Sequence, residues 1–521
     1  MCDTAAIVYM PLLEETGHVI SEKYCHGPEI LEQSQKIATK YNLYDNALLH
    51  TEVTALKWEE KHNRWRVTTN RNDSFTCTFL GVGTGPFVTP KLPGIKGLHS
   101  FKGHTFHTSR WDYKYTGGSS LQGGEFSKQG GGSRIAAPLT KLSNKRVAII
   151  GTGATSVQCV PHLAAACQEL YVFQRTPSSV DVRGNVPIDE KWFQSINEPG
   201  WQTKWMENFM GINTGRSKPG EKDLVQDGWT DLMKRIQKAI GGIPRKDLSP
   251  EAVMAAFEDA DNEKMTEIRT RTTSIVNNKA TADKLKAWYR QLCKRPTFHD
   301  EYLSSFNRSN VHLIDCSETK GVEEINEKGL LVGGVLYEVD CIIYGSGFEV
   351  GGDMARKNGF EITGQNNVTL SNYWENGMRS KHGTHIYQFP NLFFQGLGQN
   401  SSYAVNVPHN YVEQGRTVAK MIRHAEMNGF DRIEISKRQE DEWVDLILTA
   451  PERRMMSSCT PGYYNNEGVT DGPEAEIRKS YAGYPHGPLA YFKYIQKWRT
   501  TGKFDGVNFV ATKMLKGGSR L

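Results

Sequence analysis

The segment from residue 147 to residue 174 has the pattern of a βαβ unit that binds a dinucleotide. An apolar run, VAII, leads into the glycine turn GTGATS; a helical pattern, VQCVPHLAAA, and a second apolar run, LYVFQ, follow. Gly151 permits a tight turn, Gly153 lets the backbone approach a pyrophosphate, and Ser156 is small enough for close helix packing. Such a unit needs a parallel sheet covered by helices, so the chain is predicted to be α/β.

The residues after the second strand of this unit indicate which dinucleotide is bound. Sites for NAD place an acidic residue there, whereas here Gln174 is followed by Arg175 and Thr176. A guanidinium can hold a 2′-phosphate through paired charge-assisted hydrogen bonds, and a threonine hydroxyl adds a donor. The sequence therefore predicts NADPH, read by Arg175 and Thr176. Charge patterning alone leaves a solvated surface arginine open.

A second motif lies upstream of the βαβ unit. The run FKGHTFHTSRWD at 101–112 fits the pattern F-x-G-x-x-x-H-x-x-x-W-[P/D] at every fixed position, which are Phe101, Gly103, His107, Trp111 and Asp112. This pattern resembles the signature of Baeyer–Villiger monooxygenases, flavoproteins that insert one oxygen atom next to a ketone. The resemblance implies Rossmann-like FAD and NADPH domains, with the motif residues coupling cofactor binding to domain rotation.

The run LCKRPTFHDEYL, which contains Lys294 and Arg295, resembles the same family. The resemblance implies that Arg295 reaches the flavin and is catalytic, because a guanidinium that stays protonated can stabilise anionic species of the reaction. Lys294 would contact the nicotinamide cofactor. Asp3, matched to the family's C-D pair, would lie beside Arg295 and fix its position. Without the resemblance, a lysine–arginine pair favours a surface loop.

Several other segments are similar to parts of this family. PNLFFQGLGQNSSYAVN at 390–406 resembles its second flavin-contacting segment, followed by a helix predicted from Tyr411 onward. PGYYNNEG at 461–468 resembles its substrate-covering loop, which implies substrate contact by Tyr463. Glycine turns at 81–87 and 344–348 each follow a strand pattern and resemble crossings near a dinucleotide, although plain tight turns fit the spacing equally well.

The resemblance and the patterns together predict a flavoprotein with two dinucleotide-binding domains. Residues 1–138 are expected to form the first part of the FAD domain, with a Gly/Ser-rich loop at 117–135, and 351–521 its second part and the C-terminal region. Residues 139–350 would form the NADPH domain with a helical insertion at about 180–290, of which about 185–230 is predicted to be a loop over the active site. No FAD-binding glycine fingerprint precedes the motif, so the FAD domain is predicted to be truncated at its N-terminus. An incomplete gene model, a complementing partner chain and a flavin-free remnant are the alternatives.

Composition excludes several function classes. The net charge of +5 is spread without a long basic run, so no nucleic-acid partner is predicted. The nine cysteines are scattered and form no C-x-x-C pair, which argues against a disulfide framework and a metal site and favours a reducing, cytoplasmic setting. Neither a signal peptide nor a membrane span is predicted.

The predicted function is that of an FAD- and NADPH-dependent Baeyer–Villiger monooxygenase acting in secondary metabolism. The resemblance implies a small-molecule ketone, such as a polyketide or terpenoid, and molecular oxygen as substrates, and an ester or lactone as product. One alternative is a flavin-dependent N- or S-hydroxylating monooxygenase, against which Trp111 and Asp112 weigh. The other is a non-catalytic NADP-binding protein.

Overall fold

The computed structural model of the chain describes residues 3–119, 123–126, 134–136, 138–218, 220–244, 247, 249–350, 354–401, 406–450, 459–462, 468–469 and 471–511. Both helices and strands occur along most of the described chain. The α-helices are α1 Ala6–Tyr9, α2 Leu13–Thr16, α3 Gly27–Lys40, α4 Tyr113–Thr116, α5 Ala154–Ala166, α6 Glu190–Ile196, α7 Trp201–Asn213, α8 Gly228–Gly241, α9 Pro250–Ile275, α10 Lys279–Lys284, α11 Tyr302–Ser305, α12 Met354–Asn358, α13 Leu370–Tyr373, α14 Val407–Met427, α15 Lys437–Leu448, α16 Gly472–Lys479 and α17 Pro488–Thr500.

The strands divide between one parallel sheet and several smaller, mostly antiparallel ones. They are β1 Val53–Glu59, β2 Arg64–Thr69, β3 Ser74–Cys77, β4 Leu80–Val82, β5 His104–His107, β6 Gly123–Phe126, β7 Arg134–Ala136, β8 Arg146–Ile150, β9 Glu169–Gln174, β10 Val180–Asp181, β11 Thr297–Phe298, β12 Val311–Asp315, β13 Glu324–Ile325, β14 Gly329–Val332, β15 Val335–Glu338, β16 Cys341–Tyr344, β17 Glu361–Thr363, β18 Leu392–Phe394, β19 Arg432–Ile435 and β20 Val507–Val510.

The parallel sheet has the strand order β12-β9-β8-β16-β5 and contains the predicted βαβ unit as β8, α5 and β9. Its central strands β8, β9 and β16 are mostly apolar because helices and a β-meander cover both faces. Ile150 at the end of β8 pairs with Phe173 of β9 and with Tyr344 of β16. The carboxyl ends of three strands therefore lie level, and the glycine turns that follow β8 and β16 meet at one edge of the sheet.

The motif strand β5 joins this same sheet through β16, with His107 paired to Tyr344. The smaller sheets include β17-β1-β2-β3, the antiparallel meander β13-β14-β15 and the parallel pair β18-β4. The fold is α/β, as predicted.

About half of the segment at 185–230 is helical, so the prediction of a loop throughout is wrong. The segment contains α6 and α7 and the start of α8. Its aromatic residues Trp201, Trp205 and Phe209 recur every four positions, lie on one face of α7 and are buried against apolar residues of the N-terminal segment 5–25. A composition rich in Trp, Gly and Asn is typical of loops, but this four-residue spacing is typical of a helix with one buried face.

In the part of the chain that the structure describes, no helix is long and apolar enough to cross a membrane. The same residues contain no group of three or more His, Cys, Asp or Glu side chains that could hold a metal ion.

Candidate functional site

A large cavity lies beside the carboxyl edge of the parallel sheet. Its volume is about 2890 Å³, well above the roughly 300–1,000 Å³ of a typical ligand pocket, so it has room for more than one ligand. All the predicted catalytic and cofactor-binding residues except Ser156 line it, namely Asp3, Gly151, Gly153, Arg175, Thr176, Lys294 and Arg295. The fold thus brings together residues that lie far apart in sequence.

The glycine turn after β8 is shaped by close backbone packing. Gly151 has φ +102°, and a Cβ atom there would lie 2.8 Å from the carbonyl oxygen of Gly345. Ser156 is fully buried in α5, and a side chain on Gly345 would collide with its hydroxyl. A Cβ atom on Gly153 would meet no described atom within 4 Å. Gly153, Ala154 and Thr155 at the start of α5 line the cavity, so a pyrophosphate can approach the first turn of this helix.

Arg175 follows β9 directly and is exposed at the cavity wall. Thr176 is held by its backbone, because its carbonyl oxygen accepts a hydrogen bond of 2.9 Å from Thr152 Oγ1. A second cation, Lys320, lines the same cavity in the turn after β12, whose last residue Asp315 pairs with Gln174. Sequence reasoning missed Lys320. The signal that could have found it is its place in the loop after the strand next to β9.

Asp3 and Arg295 form a two-point ion pair. Arg295 Nη2 lies 2.8 Å from Asp3 Oδ1, and Nε lies 3.2 Å from Oδ2. The Asp3 side chain is 10% exposed and that of Arg295 is 38% exposed, so the carboxylate is enclosed while the guanidinium faces the cavity. The indole of Trp229 lies against this pair, and sequence reasoning did not single it out.

A disulfide links the segment just before Arg295 to a segment near residue 460. Cys293 is bonded to Cys459, and Lys294 Nζ donates a hydrogen bond of 2.9 Å to the carbonyl oxygen of Pro461. The scattered cysteines argue against a disulfide framework, and this bond is an exception that the prediction did not include. The two cysteines are separated by 166 positions, so their spacing carries no signal of the bond. Tyr463 lies outside the described residues.

The motif residues lie behind the cavity wall and none of the five lines the cavity. Two of them, Phe101 and Trp111, pack into the apolar layers of the parallel sheet, while Gly103 lets the backbone pass Asp340. Asp112 caps α4 by accepting hydrogen bonds from the Lys114 and Tyr115 amides.

His107 makes the contact between the motif and the cavity. Its ring packs edge-on against Phe348, with the ring centres 5.6 Å apart, and Phe348 belongs to the cavity-lining turn after β16. Burial lowers the pKa of His107, so the imidazole is neutral at physiological pH. The motif therefore packs against this turn through His107 without lining the cavity itself.

Polar groups before α14 form another part of the wall. Helix α14 begins at Val407, earlier than predicted, and Asn406 and Ser401 line the cavity. Among the described residues, the Oδ1 atoms of Asn406 and Asn400 are buried without a hydrogen-bond partner. Unpaired buried acceptors are rare in native proteins, so this wall fits a polar ligand such as FAD.

Comparison with known proteins identifies the family. No family model matches the chain. Neopentalenolactone D synthase of Streptomyces avermitilis is 44% identical over 502 residues, which cover 96% of this chain and 80% of that protein. Baeyer-Villiger monooxygenase ATR8 of Stachybotrys chlorohalonatus is 40% identical over 514 residues, which cover 97% of this chain and 78% of that protein.

A solved structure supports the same conclusion. The polycyclic ketone monooxygenase from Thermothelomyces thermophila superposes with a TM-score of 0.85 at 34% identity, covering 98% of this chain and 81% of that chain. The predicted two-dinucleotide fold and enzyme class are confirmed by these relatives. The chain therefore belongs to the Baeyer–Villiger monooxygenases, the FAD- and NADPH-dependent family that its sequence resembles.

Proposed function

We propose that this chain oxygenates a polycyclic ketone of secondary metabolism. In the balanced reaction, the ketone, O₂, NADPH and a proton give an ester or lactone, NADP⁺ and water. One oxygen atom enters between the carbonyl carbon and its neighbour, and the other leaves as water. Two relatives support this substrate class, one named for a pentalenolactone and one for polycyclic ketones. The large cavity supports it as well.

We assign the NADPH site to the edge of the sheet between β8 and β9. The amides at the start of α5, opened by Gly151 and Gly153, would hold the pyrophosphate. Arg175, Thr176 and Lys320 would surround the 2′-phosphate, because they lie at or beyond the ends of adjacent strands.

We assign the flavin to the wall formed by Ser401 and Asn406. Bound FAD supplies the redox chemistry that activates O₂, and the protein supplies orientation and electrostatics. Arg295 faces the cavity with its charge held in place by Asp3, so it can stabilise negative charge that develops on the substrate oxygen. This ion pair, in one cavity with the glycine turn, is the observation that carries the proposal. The guanidinium does not exchange its proton in this role.

The experiment compares Arg295→Ala with Arg308→Ala, an arginine on the exposed surface. In the flavin-loaded enzyme, Arg295→Ala should reduce ketone oxygenation by at least about 100-fold, the scale expected for removing a group that stabilises the transition state. Its dissociation constant for NADP⁺ should stay within about threefold of wild type, since the phosphate-binding residues are intact. Retained lactone formation would refute the assignment.

The finer predictions on organisation are proposals as well. We propose that residues 1–138 and 351–521 together form the FAD unit and that residues 139–350 form the NADPH unit. The motif at 101–112 would couple the two units through Phe101, Gly103, His107, Trp111 and Asp112. Tyr463 would contact the substrate. The cytoplasmic location belongs to the same proposal, and a complementing chain is proposed only for the case that this chain alone does not bind FAD. The absorbance spectrum of the purified chain titrated with FAD tests the last point, because flavin bands of a one-to-one complex would show that no second chain is needed.

A further inference from the structure

We propose that Trp229 is a positioning residue that holds the Arg295 guanidinium toward the cavity. This inference rests on the proposed function of Arg295. Trp229 is the second residue of α8, in the helical insertion, and therefore reaches the ion pair from a different part of the chain than either member. It lines the cavity together with both of them.

One indole contacts both members of the pair. The Arg295 Cζ atom lies 5.4 Å from the centre of the Trp229 ring, a distance at which the ring face attracts a cation. On the other side, Trp229 Nε1 donates a hydrogen bond of 2.8 Å to the backbone carbonyl of Asp3, whose carboxylate binds the same guanidinium. Asp3 binds the hydrogen-bonding edge of the Arg295 guanidinium. Trp229 limits the movement of the guanidinium over the face of the indole.

The indole itself is held from two directions. Asp227 caps α8 by accepting hydrogen bonds from the amides of Trp229 and Thr230, at 3.1 Å and 3.3 Å. The ring of Phe298 packs edge-on against the indole, with centres 5.6 Å apart. Gly228 leaves room for this contact, because a Cβ atom there would collide with the Phe298 ring. Phe298 lies in β11, three positions after Arg295. Its contact with Trp229 therefore packs helix α8 against the segment that carries Arg295.

This arrangement predicts how Trp229 acts. Without the ring, Arg295 would keep its ion pair with Asp3 but gain rotamer freedom on the cavity side, where 38% of its side chain is exposed. A displaced guanidinium would no longer stabilise charge at the substrate, since such stabilisation depends on preorganised geometry. NADPH oxidation would continue, with its electrons reducing O₂ to hydrogen peroxide and less ketone being oxygenated.

The test measures the reactivity of Arg295 as well as turnover. In the chain without cofactors, the rate of phenylglyoxal modification at each arginine is followed by peptide mass spectrometry. Trp229→Leu should speed modification of Arg295 at least about threefold, because a mobile guanidinium is more accessible, and leave Arg175 unchanged. In the flavin-loaded enzyme the same variant should lower the amount of ketone oxygenated per NADPH oxidised by about tenfold, a scale typical of misplaced catalytic groups.

The matched control is Trp288→Leu. Trp288 is 75% exposed and has the Arg269 guanidinium 4.6 Å from its ring centre, so it forms the same kind of pair away from the cavity. Trp288→Leu should leave both the rate of Arg295 modification and the rate of ketone oxygenation unchanged. Trp229→Phe, which keeps an aromatic face and loses the N–H donor, should stay within about twofold of wild type in oxygenation.

Three outcomes would overturn the inference. One is unchanged Arg295 modification together with unchanged coupling in Trp229→Leu. Another is equal acceleration at Arg175, which would indicate general loosening of the fold. If Trp229→Leu does not fold, Trp229→Phe decides, and a loss of oxygenation as large as that of Arg295→Ala would exclude the role of the ring face. Failure of the proposed function is separate, because it would appear as retained oxygenation in Arg295→Ala.

Discussion

A Cβ atom on Gly151 would lie 2.8 Å from the carbonyl oxygen of Gly345, so the turns that follow β8 and β16 are in backbone contact. The contact joins the dinucleotide turn to the turn that His107 supports from beneath. The shape of the cavity at this edge is therefore set by backbone packing and depends on the absence of side chains at two positions.

This contact predicts that Gly151→Ala and Gly153→Ala behave differently. Gly151→Ala should weaken NADP⁺ binding and also destabilise the fold by about 1–3 kcal/mol, because alanine is strained at φ +102° and meets the Gly345 oxygen. Gly153→Ala should weaken NADP⁺ binding alone, since its Cβ atom meets no described atom within 4 Å. Thermal melts and NADP⁺ titrations of both variants separate the effects. Equal melting temperatures would contradict the packing argument.

Arg175 should determine the preference for NADPH over NADH. Removal of a charge-assisted contact to the 2′-phosphate costs about 1.5–3 kcal/mol, so Arg175→Ala should raise the dissociation constant for NADP⁺ by about 10- to 100-fold. The constant for NAD⁺ should change little, because NAD⁺ lacks that phosphate. Lys320→Ala should show the same selectivity with a smaller effect, since Lys320 lies five residues beyond the end of β12 whereas Arg175 follows β9 directly. Equal losses for both dinucleotides would exclude phosphate recognition by Arg175.

The bond between Cys293 and Cys459 should stabilise the fold when intact. A disulfide closing a long loop typically contributes about 2–4 kcal/mol, so Cys459→Ser should melt at a lower temperature than wild type without reductant. Reductant should lower the wild-type melting temperature to that of the variant. Cys77→Ser, which changes a cysteine outside the bond, should keep the response to reductant. A non-reducing peptide map with both thiols free would contradict the bond.

Asp227 should make stability depend on pH. Burial raises the pKa of Asp227 to about 6 from an ordinary 3.8, so between these pH values the folded state holds a proton that the unfolded state releases. The free energy of unfolding should therefore fall by roughly 3 kcal/mol as pH rises through this window and then stay level with respect to this group.

The variant Asp227→Asn cannot ionise and keeps a side-chain oxygen that can cap α8. Its melting temperature relative to wild type should be higher at pH 7.5 than at pH 4.5, because only the wild type bears a buried charge at the higher pH. The same difference at both pH values would show that Asp227 is not the titrating group.

Local patterns predicted the parts of the fold that depend on neighbouring residues. The βαβ unit follows from an apolar strand, a glycine turn and a helical period within one short stretch, and the structure has each element at the predicted place. At 185–230 the composition predicts a loop, whereas the four-residue spacing of Trp201, Trp205 and Phe209 matches the buried face of α7.

The candidate site depended on distant residues and was predicted only in part. The family resemblance predicts that Asp3 lies beside Arg295, whereas no local sequence pattern connects the two residues. Trp229 and Lys320 reach the cavity, and Cys459 reaches Cys293, only through the tertiary arrangement of helices and strands. A single sequence carries no spacing signal for such contacts.

Oxygen-isotope labelling tests the central claim most directly. The chain is reconstituted with FAD and incubated with NADPH, ¹⁸O₂ and a polycyclic ketone, and the product is examined by mass spectrometry. The account predicts an ester or lactone that carries one ¹⁸O atom, formed by wild type and lost in Arg295→Ala. NADPH oxidation that yields hydrogen peroxide and no labelled product from the flavin-loaded wild type, across a panel of polycyclic ketones, would contradict it.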